Sequence, residues 1–350
     1  MVLFLLSFLM LVPSMLCLPE DSDNALEIKE ELPSQLINTS FLEERPLPAK
    51  KQISITTSLF YFAGLGSRPV VDKPCRCGIR NTTGNFRIYN GERARVSEFP
   101  WRVSINPVRN TAVSICSGAL IAKDTVLTSA SCVHEKSIEH MLIDLGDHNL
   151  AEDRETTNVL VSIIEKIVHE NFDPQKDGST KFPNNPLEDF DIALLILAEP
   201  IEAENIMPVC LPRKFTSQDL SGTQVITSGW GSNGTMPSRT LNKVQLSYFT
   251  SEQFRKEIGP NNFPSVKIPE NDNLVYTFDK NKGIYPTDFG TTMEHVNLED
   301  GRYYAVGVAD AIQVLEAADG SKRILGAWTD VTKFVDWIDE NIPNAKSCNL

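Results

Sequence analysis

Hydrophobic and polar positions divide the chain into regions of different texture. Residues 1–17 (MVLFLLSFLMLVPSMLC) are apolar and uncharged, and an acidic stretch begins at Glu20. A helix that crosses a bilayer needs about 20 apolar residues, so this shorter run is predicted to be a signal peptide, with an N-terminal anchor as the alternative. Residues 18–87 read as an extended prosegment or linker. Glu20, Asp21, Asp23, Glu27, Glu30 and Glu31 open it, and Pro33, Pro46 and Pro48 interrupt it. Lys50 and Lys51 then form a basic step before a β-like patch at 53–62. Such a segment has too little apolar surface to build a core of its own.

After Phe86 the texture changes to short apolar runs between turn residues, at 101–105, 117–128, 141–145, 191–197, 223–228 and 303–308. Many short strands at such spacing predict an all-β sandwich or barrel. Only the stretch 331–342 has a helical period, with Val331, Phe334, Val335, Ile338 and Ile342 on one face. Internal repeats and low-complexity tracts are absent from the sequence.

Composition narrows the choice. A chain of 350 residues exceeds the about 250–300 at which a single core stops growing, and the excess is absorbed by a prosegment ahead of one domain at 88–350. The 41% hydrophobic and 23% charged content excludes wholesale disorder. A net charge of −13 argues against nucleic acid, heparin or an anionic membrane as the main partner. The cysteine count is seven, which is odd, but loss of Cys17 with the signal peptide leaves Cys75, Cys77, Cys116, Cys132, Cys210 and Cys348. In an oxidising compartment all of these can pair. Sequons at Asn38, Asn81 and Asn233 point to glycosylation and to the same secreted setting. His134, His140, His148, His169 and His295 show no metal-ligand spacing, and the acidic loop 147–155 is read as solvated rather than as a calcium site. No metal and no cofactor are expected.

From Cys77 to Asn341 the chain resembles the chymotrypsin-like serine proteases, with their motifs in order. Arg87-Ile88-Tyr89-Asn90-Gly91 is similar to the activation site, and Glu98-Phe99-Pro100-Trp101 to the approach to the first strand. Cys116-Ser117-Gly118-Ala119-Leu120-Ile121, Asp191-Ile192-Ala193-Leu194-Leu195, Pro208-Val209-Cys210-Leu211-Pro212 and Gly229-Trp230-Gly231 follow. Trp328-Thr329-Asp330-Val331 then leads into the helix with Trp337. The Cys75-Arg76-Cys77-Gly78 segment is similar to insect venom and haemolymph members. The resemblance implies a double antiparallel β-barrel with a C-terminal helix, behind the extended prosegment.

The family's mechanism needs a serine nucleophile, a histidine base and an aspartate that fixes the imidazole tautomer. Where the family has His-Cys this chain has Ser131-Cys132, and where it has Gly-Asp-Ser-Gly-Gly-Pro this chain has Thr287-Asp288-Phe289-Gly290-Thr291-Thr292. A hydroxyl does not take up a proton near neutral pH, and Phe289 offers no nucleophilic atom. Of the degenerate triad Ser131, Asp191 and Phe289, only Asp191 matches the family. Thr287 stands at the oxyanion-hole glycine, where a β-carbon disfavours the required backbone pose. Ile312 replaces a glycine of the specificity-pocket wall, and Gly283 falls at its base, where trypsin-like members carry an acid. Asp310 is expected near Asp191, two carboxylates sharing a proton.

The resemblance also implies the bridges Cys116–Cys132 and Cys77–Cys210, and Cys75 and Cys348 are then expected to pair with each other. Two family bridges are lost as pairs, at Tyr285 and Leu315 and at Phe254 and Tyr276, the latter expected to pack as apolar neighbours. Cleavage between Arg87 and Ile88 is expected to free an amino group for an activation ion pair with Asp288, switching conformation without creating activity. The expectation is a secreted, catalytically inactive serine protease homologue, not an enzyme. It would bind protein partners, active serine proteases or zymogens, as cofactor, decoy or inhibitor in a clotting or melanisation cascade or as a venom component. The alternatives are an active serine endopeptidase with non-standard catalytic residues and an acidic adhesion protein outside any cascade.

Overall fold

Short strands rich in Val, Ile and Leu, buried on both faces, need closed sheets, because an open edge would leave a row of unpaired backbone groups. In a computed structural model of the chain, the described residues are 76–80, 91–108, 114–152, 155–173, 190–231, 238–257, 273–316 and 320–342. The expected signal peptide, the prosegment through residue 75, Arg87, Ile88, Asn38, Asn81, Asn233, Cys75 and Cys348 lie outside them.

The first barrel closes through β2 (Arg102–Pro107), β3 (Cys116–Ala122), β4 (Thr125–Thr128), β7 (Ala193–Leu197), β6 (Val159–Val168) and β5 (Met141–Leu145), all antiparallel. Its register sets Ile105 opposite Cys116, Val103 opposite Leu145 and Val126 opposite Leu195. The second barrel closes through β8 (Gln224–Gly229), β9 (Asn242–Thr250), β10 (Leu274–Lys280), β13 (Lys322–Asp330), β12 (Tyr303–Glu316) and β11 (Thr292–Val296). The two-residue β1 (Glu92–Arg93) pairs with β9 from outside. These two antiparallel barrels and a short C-terminal helix are the chymotrypsin-like architecture.

Local differences from the sequence reading have physical causes. The run 117–128 is two strands, β3 and β4, reversed at Lys123 and Asp124. The run 303–308 extends to Glu316 through a bulge between Ala309 and Ala311, whose extra residue is Asp310. The terminal helix begins as a 3₁₀ turn, Val331–Lys333, in which Asp330 Oδ1 accepts from Thr332 N at 3.1 Å and Thr332 Oγ1 at 2.6 Å. The α-helix proper is α3 (Val335–Asn341). Two helical segments were not expected, α1 (Ala130–Val133) and α2 (Ser251–Glu257), both too short for a period of 3.6 to register. On α2, Phe254 stacks on Tyr276 with ring centroids 4.7 Å apart, so the aromatic replacement of that lost bridge is in place.

Residues 76–80 lie against the barrels. Cys77 is bridged to Cys210, and Cys116 to Cys132. Gly78 N donates to Pro208 O at 2.8 Å while Tyr303 N donates to Gly78 O at 2.9 Å. Gly78 has φ +63°, and a β-carbon there would sit 2.4 Å from Tyr303 O, so only glycine fits. Arg80 ion-pairs with the wholly buried Glu98 and donates to Tyr303 Oη at 3.1 Å, and Lys243 Nζ donates to Glu98 Oε1 at 2.7 Å.

Between the barrels lies a buried ion pair. Arg102 Nη2 donates to Glu294 Oε1 at 2.8 Å, with both side chains at most 1% exposed. The guanidinium also donates to Ser228 Oγ at 2.9 Å, Thr291 Oγ1 at 2.7 Å, Thr292 Oγ1 at 3.1 Å and Thr292 O at 3.2 Å. Glu294 Oε1 accepts from the Trp101 indole at 3.2 Å and from Thr292 Oγ1 at 2.5 Å. Burial pushes the Glu294 carboxyl upward more strongly than Arg102 and its hydrogen bonds pull it down. Truncating one partner leaves a buried charge uncompensated, so Arg102→Ala is expected to destabilise by about 3–5 kcal/mol. Arg102→Met with Glu294→Leu is expected to lose far less, and urea unfolding of the single and double variants checks the difference.

Candidate functional site

The site forms where the first barrel meets the segment before β11. Asp191 lies two residues before β7 and is wholly buried. Ser131, on α1, meets it twice: the backbone N donates to Asp191 Oδ1 at 2.6 Å and the hydroxyl to Asp191 Oδ2 at 2.7 Å. The Ser131 and Ser129 hydroxyls are 3.3 Å apart, and Thr329 Oγ1 donates to Asp191 O at 3.0 Å, tying the start of β7 to β13. A hydroxyl and an amide thus donate to the two carboxylate oxygens. The Ser131 oxygen donates its proton and is no base near neutral pH.

The histidines have other neighbours. His134 Nδ1 is 3.2 Å from Ala130 O, its ring 5.2 Å from that of Phe172 and its Nε2 3.6 Å from Glu135. His169 stacks on Phe190 at 4.8 Å and meets Phe334 and Trp337, and burial lowers its pKa. Burial lowers His148 and His295 as well, with Lys214 adding to the effect at His295. His140 is exposed at the end of a 3₁₀ turn. Among the described residues, no group of three or more His, Cys, Asp or Glu is placed to hold a metal ion.

The Phe289 carbonyl accepts from Ser117 N at 2.9 Å and lies 3.4 Å from Cys132 Sγ, which puts this residue beside α1. Its ring is partly buried against the first-barrel core. Gly290 follows at φ +79°, where a β-carbon would lie 2.3 Å from Thr128 Oγ1 and 2.5 Å from Ser117 O. That close approach requires glycine and fixes how Phe289 is presented. Ahead of it, Pro286–Asp288 is a single 3₁₀ turn. Thr287 keeps ordinary backbone, since the non-glycine residues of positive φ among those described are Ser97 and Asn281.

Asp288 is buried against Gly229 and Gly231, where a β-carbon on either glycine would fall within 2.1 Å of its carboxylate oxygens. It accepts from Gly231 N at 2.8 Å through Oδ1 and from Tyr285 N at 3.0 Å through Oδ2. No cation forms an ion pair with it among the described residues. Burial pushes its carboxyl up to about 6, against the opposing pull of those hydrogen bonds and of Arg102.

On the pocket side, Ile312 stands opposite Gly326 in the β12–β13 ladder and packs, partly buried, on the second-barrel core. At Gly283 a β-carbon would lie 2.3 Å from Ile324 Cγ2, so the aliphatic side chain of Ile324 covers the base position. Asp310 is buried at the bulge of β12. The structure therefore brings Ser131, Asp191 and the Phe289 backbone together and sets Asp288 in its own cradle. Sequence reading missed Ile324, Arg102 and Glu294, for which no motif exists.

Residues 88–338 match the trypsin family. The chain belongs to that family. It is 27% identical over 279 residues to venom serine protease 34 of Apis mellifera, covering 78% of this chain and 62% of the bee protein. It is 28% identical over 284 residues to the proclotting enzyme of Tachypleus tridentatus, covering 76% and 68%. With the clotting factor G beta subunit of the same organism it shares 27% identity over 306 residues, 82% of this chain and 92% of the relative. This trypsin-family chain thus spans less than two thirds of the bee relative's length. Among its described residues no helix is long and apolar enough to cross a membrane.

Asp288 and Asp330 are both pushed up to about 6 by burial. A carboxyl raised in the folded state contributes stability that is complete below the unfolded value and is lost as pH rises through the folded one. Stability is therefore expected to fall between about pH 4 and pH 6 through these groups. Asp288→Asn is expected to flatten that fall by about half, leaving the Asp330 share, as thermal melts across the range measure.

Proposed function

We propose that this chain is a secreted, catalytically inactive member of the trypsin family that works by binding proteins. The observation that carries the reading is the Ser131 hydroxyl donating to Asp191 at 2.7 Å, the place where the family's mechanism needs a histidine base. Phe289 supports it by offering no nucleophile, as do the ordinary backbone of Thr287 and the aliphatic cover that Ile324 lays over Gly283. With the fold intact, the surface of a protease is presented without hydrolysis. Such a body suits a cofactor, decoy or inhibitor for active serine proteases or zymogens. The names of its relatives, venom proteases and clotting enzymes, favour an extracellular protease cascade or a venom as the setting.

Incubating the Arg87-cleaved protein with a fluorophosphonate probe is expected to give no covalent labelling. Labelling of any serine would establish the competing reading, an active endopeptidase with non-standard residues. Cleavage after Arg87 would still matter, because Asp288 holds a buried carboxylate suited to the amino group it frees. The cleaved form is then expected to melt at higher temperature than the single chain at pH above about 6, where that carboxylate is ionised. Equal melting temperatures would sink the switch.

A further inference from the structure

The outer face of the first barrel carries an apolar strip that the site described above does not use. On β6 the inward positions Val161 and Ile163 are buried, and the outward positions are Leu160, Ser162 and Ile164. A strand with one face in solvent normally places polar residues outward. Here Leu160 is 48% and Ile164 60% exposed. We propose that this strip docks a basic amphipathic segment of a protein partner. The assignment to a protein rests on the binding role proposed above; the apolar face and its acidic rim do not.

A bulge brings the second aliphatic side chain out. In the β6–β7 ladder Ile163 lies opposite Leu197 and Glu165 opposite Ile196, so Ile164 is the extra residue between two paired positions. A bulge bends its strand and re-aims a side chain, and here it turns an isoleucine to solvent beside Glu165. Opposite Ser162 on β5 stands the half-buried Leu142. Residues directly opposite one another share a face, so Leu142 widens the strip between Leu160 and Ile164.

The rim of the strip is acidic. Glu165 follows Ile164 directly. Ala198 N donates to Ser162 O at 2.9 Å, which puts Glu199 alongside the middle of the strip. Asn205 Nδ2 donates to Thr157 O at 3.0 Å, which puts Glu204 beside the approach to the strand. All three glutamates are exposed, and none forms an ion pair among the described residues. The neighbouring cations are committed elsewhere. Lys123 Nζ pairs with Glu202 at 2.5 Å, and Lys166 Nζ donates to Val133 O at 2.7 Å and to His134 O and Lys136 O at 2.8 Å.

Charge chooses between occupants. A second copy docked through the same face about a two-fold axis would set acid against acid. An anionic membrane would be repelled by this rim and by the net charge of −13. A segment with aliphatic residues on one face and lysine or arginine beside them satisfies both features. It buries Leu160 and Ile164 and pairs with Glu165, Glu199 and Glu204. Burial of the aliphatic side chains supplies affinity, and the acids set partner choice and encounter rate.

The test uses the full chain and a fluorescent amphipathic peptide of leucine and lysine. A scrambled peptide of the same composition and a leucine–glutamate peptide serve as controls. Binding of the leucine–lysine peptide is expected, with affinity reduced about tenfold or more by Leu160→Ser with Ile164→Ser, and by Glu165→Gln with Glu199→Gln. Leu298→Ser, in the exposed turn between β11 and β12, should leave it unchanged. Raising salt to about 0.3 M should weaken it. Equal binding of either control peptide or indifference to both double substitutions would overturn the proposal. So would a dimer in sedimentation that Ile164→Ser dissociates, or binding to phosphatidylserine vesicles that these substitutions abolish. All four substituted positions are exposed, and melting temperatures within about a degree of the parent keep a folding defect from mimicking the expected loss. Failure here would leave the absence of fluorophosphonate labelling untouched, so the two readings fail separately.

Discussion

The interaction on which the arrangement depends is the buried contact of Arg102 with Glu294. One guanidinium starts from β2 of the first barrel and reaches Ser228 on β8, Thr291, and Thr292 and Glu294 on β11. Thr291 in turn donates through its hydroxyl to Ser228 O at 2.7 Å. The segment 287–292 is thereby held from both sides. Burying two charges is unfavourable, and what offsets it is the near-complete use of the guanidinium's donors together with the Trp101 and Thr292 bonds to the carboxylate. Phe289 and Gly290, whose close approach to Thr128 requires glycine, directly precede this junction.

Asp191 and Asp288 illustrate how this fold accommodates a buried carboxylate. A buried carboxylate must find donors, but it does not specify what carries them. At Asp191 a serine hydroxyl and its own amide meet the requirement. At Asp288 two backbone amides meet it partly, and burial is left to raise the carboxyl. Removing an imidazole therefore need not unfold the barrel, provided the replacement can donate. Structure and reactivity rest on different properties of the same residues.

The strands were legible because they depend on local pattern, whereas the double barrel was implied by the family resemblance. The run at 141–145 coincides with β5, and the Phe254–Tyr276 contact was foreseen from a bridge lost at both ends. The meeting of Ser131 and Asp191 was implied by the resemblance, which puts both at triad positions, and the structure adds the two hydrogen bonds. Other features depend on register between distant strands and leave no local trace. Arg102 in sequence is one polar residue in an alternating strand, and nothing there announces a partner on β11. Ile324 reads as a strand residue, and only folding lays it over Gly283. The short helix α2 offered too few residues for a period, and its docking is decided by Phe254 rather than by helix propensity.

Register also decides which side chains meet on the outside of the second barrel. Lys280 and Arg323 lie more than forty positions apart in the sequence and face one another only because β10 and β13 pair in one alignment. A slip of one residue would carry them to opposite faces of the sheet. The alignment is fixed by buried neighbours on the same strands, Tyr276 opposite Ala327 and Val275 opposite Trp328, whose packing tolerates no slip. The hydrophobic interior that closes the second barrel thus also sets the charge pattern on its surface.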